Sequence, residues 1–81
     1  MKLLLLGTLG CHLCEDAAAI VAAVVRSQVI IESIDIAEHE QWQETYAIRI
    51  PVLYHSGTQK ELDWPFSQTQ VETFINEINN D

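Results

Sequence analysis

The chain opens with Lys2-Leu3-Leu4-Leu5-Leu6, apolar on successive rather than alternate residues. A strand with that pattern is buried on both faces, so Lys2 to Leu6 is expected at the centre of a sheet covered by helices. Beyond Gly10, Leu13, Ala17, Ile20, Val21, Val24 and Val25 recur near helical spacing, which predicts a helix from about His12 to Arg26 with Arg26 at its negative C-terminal end. Val29 to Ile36 is β-branched and reads as a second strand, completing a βαβ unit whose strands run parallel. Glu38 to Ala47 is polar with Trp42 and Tyr46 four apart, which predicts a short helix burying both rings. Pro51 stops any helix at Ile50, Val52 to Tyr54 follows as a strand, and Ser56-Gly57-Thr58 turns the chain into Gln59 to Asp63 as its antiparallel partner. His55, beside that turn, is expected in solvent. The last helix carries the fullest set of local signals: Ser67 with Gln70 as a capping box, Phe66 with Val71 as a hydrophobic staple, then Val71, Phe74, Ile75 and Ile78 on one face, fraying at Asn79 to Asp81. The order is β-α-β-α-β-β-α, an α/β unit over residues 1–81 with no linker or repeat.

Eighty-one residues make one small domain, and 48% hydrophobic content is enough to give it a core. No apolar run nears the roughly 20 residues a membrane span needs, so no membrane association is expected. A net charge of -8 with four basic residues lacks the basic stripe that phosphates require, which argues against nucleic acid, and it repels small anions too.

Both cysteines of the chain fall in Gly10-Cys11-His12-Leu13-Cys14, where the first strand hands over to the first helix. Unpaired N–H groups at a helix start favour a thiolate, so Cys11 is expected to ionise more readily than a free cysteine at roughly 8.5 and to act as the nucleophile. Cys14, one turn in, is suited to resolve a mixed disulfide formed at Cys11. Glu15 and Asp16 oppose the thiolate, and His12 either modulates it when protonated or, as expected at neutral pH, simply points into solvent. Other readings of the pair are weaker. A metal site needs two more ligands, and His39 and His55 stand apart with no paired spacing, so no metal ligand is assigned. A lipoprotein signal ending at Cys11 has an apolar core of four leucines, short of the roughly 7 to 15 required. Two buried, inert cysteines are hard to reconcile with an exposed helix start. Without a credible signal, the expected compartment is the cytoplasm, where paired cysteines are more often catalytic or metal-binding than structural.

With the Cys-x-x-Cys helix, the element order and Pro51, the chain resembles the thioredoxin superfamily over nearly its whole length, and glutaredoxin-like proteins in particular. Cys11-His12-Leu13-Cys14-Glu15 together with Leu62-Asp63-Trp64-Pro65-Phe66 is similar to a subgroup of small bacterial members. The resemblance implies a glutaredoxin-type, four-stranded mixed sheet with helices on both faces. It also implies a cis bond between Ile50 and Pro51 facing the cysteines, and a backbone at Ile50 that pairs with an extended substrate. Typical members carry Pro-Tyr between the cysteines, a basic residue before them and a Gly-Gly turn for glutathione. Here His12-Leu13, Thr8 and Trp64-Pro65-Phe66 stand instead, leaving Arg49 as the candidate for an anionic substrate. Trp64 and Phe66 are read as locking the hairpin to the last helix. No cofactor is expected to be required, with glutathione the open question. The leading expectation is a monomeric thiol–disulfide oxidoreductase acting on a disulfide-bearing protein or a small thiol. The alternatives are a metal or iron–sulfur binding module and a redox-silent adaptor.

Overall fold

In the computed structural model, which describes residues 1–25 and 28–79, the leucines of the first strand divide between two apolar layers. The elements are β1 (Lys2–Gly7), α1 (His12–Val24), β2 (Ile30–Asp35), a 3₁₀ turn (Ile36–Glu38), α2 (Glu40–Tyr46), β3 (Val52–His55), β4 (Lys60–Asp63) and α3 (Gln68–Asn79). The sheet runs β2-β1-β3-β4, with β1 parallel to β2 and antiparallel to β3, and β3 antiparallel to β4. This is the four-stranded mixed sheet expected, with β1 inside it. Leu3 and Leu5 meet Ala17, Val21 and Val24 of α1 and Val71, Phe74, Ile75 and Ile78 of α3 on one face. On the other, Leu6 packs with Ile36, Tyr46 and Val52, and Leu4 with Trp42 borders them.

Several boundaries differ from the sequence reading for local reasons. The segment expected as one helix from Glu38 is split at His39, whose extended backbone (φ -137°, ψ 103°) separates the 3₁₀ turn from α2. Asp35 starts the 3₁₀ turn early by accepting the Ala37 N–H at 3.0 Å. α1 ends at Val24 because Val25 turns extended after its N–H reaches the Val21 carbonyl, and Arg26, expected in the last turn, lies outside the described residues. Asn79, expected to fray, is instead the last residue of α3, and Asn80 and Asp81 lie outside the described residues. In the β3–β4 turn Gln59, expected as the first residue of the strand, takes a positive φ of 60°, and β4 starts at Lys60. His55 is half-buried there rather than free in solvent, its Nδ1 accepting the Thr58 N–H at 3.2 Å.

The last helix follows its local signals closely. Ser67 Oγ accepts the Gln70 N–H at 3.1 Å while Gln70 Oε1 accepts the Ser67 N–H at 2.8 Å, a complete capping box. Phe66 and Val71 are both buried in the first cluster, and Trp64 stands edge-on to Phe66 with centroids 5.1 Å apart. Those rings tie the end of β4 to α3 and its core, in the locking role expected of them.

Candidate active site

Strand polarity fixes which groups share one end of the molecule. β1 and β2 run toward Gly7 and Asp35, while β3 starts at Val52, which pairs with Leu6. The Gly7-to-Cys11 loop, the start of α1, the β2 exit and the Arg49-to-Pro51 segment therefore gather at that end. The Ile50–Pro51 peptide bond there is cis, as is Trp64–Pro65 beyond β4, and Pro51 is fully buried.

Gly10, at φ 77°, makes the turn that lets the chain enter α1, and Cys11 is the N-cap with extended backbone (φ -92°, ψ 107°). Its Sγ accepts the Cys14 N–H at 3.1 Å, and its carbonyl accepts the Glu15 N–H at 3.1 Å. The sulfur thus takes the place a serine or aspartate oxygen fills at other helix starts, satisfying an N–H that has no partner inside the helix. Cys11 and Cys14 are joined as a disulfide with Cα atoms 5.2 Å apart, and both are half-buried. An open groove of about 330 Å³ runs past them, lined among others by Thr8, Leu9, Glu15, Ser33 and Asp35.

Cys14 sits against the end of β1. A Cβ placed on Gly7 would come within 2.9 Å of Cys14 Sγ and 3.2 Å of its Cβ. Gly7 is thus a site residue that the sequence reading passed over. The available signal was a glycine closing an all-leucine strand just ahead of the cysteine loop.

His12 points away from this contact. Its side chain is 97% exposed and its Nδ1 lies 3.3 Å from Glu15 Oε2. Ile50 donates its N–H to the Tyr46 carbonyl at 3.1 Å, so of its two backbone groups the N–H is already engaged.

Arg49 is brought to β4, on the far side of β3 from β1. Its Nη2 donates to Glu61 Oε1 at 2.8 Å and Asp63 Oδ1 at 2.7 Å, and its guanidinium lies 4.8 Å from the centre of the Tyr46 ring. The Tyr46 hydroxyl donates to the other Glu61 oxygen, Oε2. Burial and then the bond to Glu61 push the Tyr46 hydroxyl up to about 12. Hydrogen bonds from Arg49 and then Tyr46 hold the Glu61 carboxyl below its ordinary value, and the same carboxylates hold Arg49 firmly protonated. Glu61 and Asp63 were missed in the sequence, although their alternation about Leu62 does mark one polar face of β4.

Among the described residues no group of three or more His, Cys, Asp or Glu side chains is placed to hold a metal ion. No helix among them is long and apolar enough to cross a membrane.

A family described as Glutaredoxin-like domain (DUF836) matches residues 2–76. Among solved structures, the crystal structure of the structural-genomics target XcR50 from X. campestris is similar at 29% identity, covering 93% of this chain and 96% of that one with a TM-score of 0.79. The solution structure of protein Ne2328 from Nitrosomonas europaea is similar at 31% identity, covering 90% and 88% of the two chains with a TM-score of 0.70. A malarial protein at 13% identity, covering 94% and 93% with a TM-score of 0.67, shares the fold. Among curated proteins nothing matches.

Proposed function

We propose that this chain, which belongs to the glutaredoxin-like domain family, is a thiol–disulfide oxidoreductase working through Cys11 and Cys14. One observation carries the reading: the two sulfurs stand close enough to bond at the head of α1, with Cys11 Sγ receiving the Cys14 N–H. A sulfur in that position is stabilised as thiolate by the helix's exposed N–H groups, which is what a nucleophilic cysteine requires.

In the reduced protein the Cys11 thiolate attacks one sulfur of a substrate disulfide. A Cys11–substrate bond forms, the substrate disulfide breaks, and one substrate thiolate leaves. Cys14, as its thiolate, then attacks Cys11 Sγ, closing the Cys11–Cys14 disulfide and expelling the second substrate thiolate. Two electrons pass from the protein dithiol to the substrate. The two thiol protons pass through solvent to the two substrate sulfurs. In this reading the cis Ile50–Pro51 segment, which the Leu6–Val52 pairing brings to the cysteine end, meets an extended substrate through the Ile50 carbonyl. Arg49 meets an anionic substrate only in competition with Glu61 and Asp63, which weighs against glutathione as the main partner. The reaction needs no bound cofactor. The proposed setting is the cytoplasm, where a reductant of the dithiol class restores the pair, and the proposed form is a monomer.

The test is equilibration of metal-free protein in graded glutathione redox buffers, followed by thiol trapping and intact-mass analysis. Reversible exchange between dithiol and intramolecular disulfide, with a definable potential, supports the proposal. Cysteines that stay reduced throughout, or that titrate only after metal is stripped, overturn it and favour the binding-module reading.

A further inference from the structure

Building on the dithiol reading, we infer that the disulfide taken by this site belongs to a cationic polypeptide segment with apolar residues beside its cysteine, docked on Leu9, Leu13 and Ile48. Among the described residues the exposed large hydrophobics are Leu9 (88%), Leu13 (49%), Ile30 (64%) and Ile48 (98%). Three of these share the cysteine end: Leu9 in the loop before Cys11, Leu13 between the cysteines, and Ile48 in the turn leading to Ile50–Pro51. The exception, Ile30, pairs with Lys2 at the opposite end of the sheet. Leaving three large apolar side chains in water at the end of the molecule that carries the reactive pair opposes solubility and contributes nothing to the core. Burial against a partner recovers that free energy.

Charge selects the partner. The cysteine end carries Glu15 in the first turn of α1 and Asp16 just after it, Asp35 at the β2 exit and Glu38 just beyond it. Glu15 and Asp35 line the groove at the cysteines themselves. The cation described there, Arg49, is held between Glu61 and Asp63, while Lys2 and Lys60 begin β1 and β4 at the other end. An apolar rim on an acidic end fits lysine- or arginine-bearing chain with a leucine-like residue near its disulfide. It disfavours glutathione disulfide, which is small, polar and anionic. The thiol chemistry is that given above, with the peptide disulfide as electron acceptor and the protein dithiol as donor.

The test is single-turnover oxidation of the fully reduced chain by three disulfides at equal concentration. These are a disulfide-bonded peptide flanked by leucine and lysine, a peptide of equal length flanked by serine and glutamate, and hydroxyethyl disulfide as a small neutral reference. The basic, apolar peptide is expected to react at least about tenfold faster than the acidic one at low salt, the scale of electrostatic steering, with the gap shrinking at high salt. Leu9→Ser and Ile48→Ser are each expected to lower the ratio of the basic peptide's rate to the reference rate several-fold, whereas Ile30→Ser leaves that ratio intact. Equal rates for the two peptides, or ratios indifferent to Leu9 and Ile48, overturn the docking surface while the dithiol reading stands. Failure of all three disulfides to oxidise the pair overturns both.

Discussion

At the scale of single residues, the two cysteines hold unequal positions although they lie one helical turn apart. Cys11 caps the helix and receives an N–H, whereas Cys14 presses on the backbone of β1 at Gly7. Cys14→Ser should therefore accumulate a stable mixed disulfide at Cys11 when challenged with a disulfide substrate, visible as one adduct by intact mass. Cys11→Ser should form no adduct and lose turnover; an adduct on Cys14 of comparable yield would reverse the assignment. Gly7→Ala sets a methyl group 2.9 Å from Cys14 Sγ, and relief requires Cys14 or the loop to shift. Overpacking of that kind costs about 1–3 kcal/mol. Thermal melts with and without reductant should show a lower midpoint for the variant, with the larger loss in the oxidised protein, where Cys14 has least freedom to move. The cysteine pair was plain in the sequence because both residues announce their own chemistry. Gly7 was not, since nothing about an isolated glycine says which side chain lies above it.

At the scale of elements, α3 and the α2-to-β4 connection differ in what holds them. α3 begins with a reciprocal cap, and Ser67→Ala should lower stability by about 1 kcal/mol, measured as a shift in the denaturation midpoint. α2 is tied to β4 by polar groups instead, through Tyr46, Arg49 and Glu61. The Tyr46 hydroxyl ionises at about 12 in the folded chain against an ordinary 10.0, so folding favours its protonated form. That contribution is fully present below pH 10, declines as the unfolded chain begins to ionise, and is gone above about pH 12. Glu61 behaves oppositely: its carboxyl is lowered, so its contribution is present above its ordinary value of 4.5 and is lost as pH falls through the folded value. Melts across pH should fall at both extremes. In Tyr46→Phe the decline between pH 10 and 12 should be shallower, and an unchanged alkaline limb would show that other groups govern it. The Trp42–Tyr46 pairing was legible from its four-residue spacing, and the rings do meet at 5.6 Å. The break at His39 was not, because the Asp35 side chain that starts the 3₁₀ turn competes with the helix pattern from outside it.

At the scale of the whole molecule, a net charge of -8 on 81 residues leaves the folded chain repelling itself. Salt is therefore expected to raise the midpoint of thermal unfolding at pH 7, since screening relieves many weak repulsions and weakens few exposed pairs. A midpoint that falls with salt would mean that ion pairs such as Lys2–Glu32 and the Arg49 group dominate instead. The overall architecture was readable because its determinants are local and periodic. An all-leucine strand can only be interior, a capping box starts a helix wherever it occurs, and Cys-x-x-Cys at a strand-to-helix junction carries its chemistry with it. Which distant residues meet was decided by the sheet's register and the packing on its two faces. Pairing Leu6 with Val52 brings the Pro51 segment to the cysteine end, and pairing Val52 with Asp63 and Tyr54 with Glu61 presents both carboxylates to Arg49. Such contacts join residues far apart in the chain, and no pattern within either segment specifies the other until the strands are aligned.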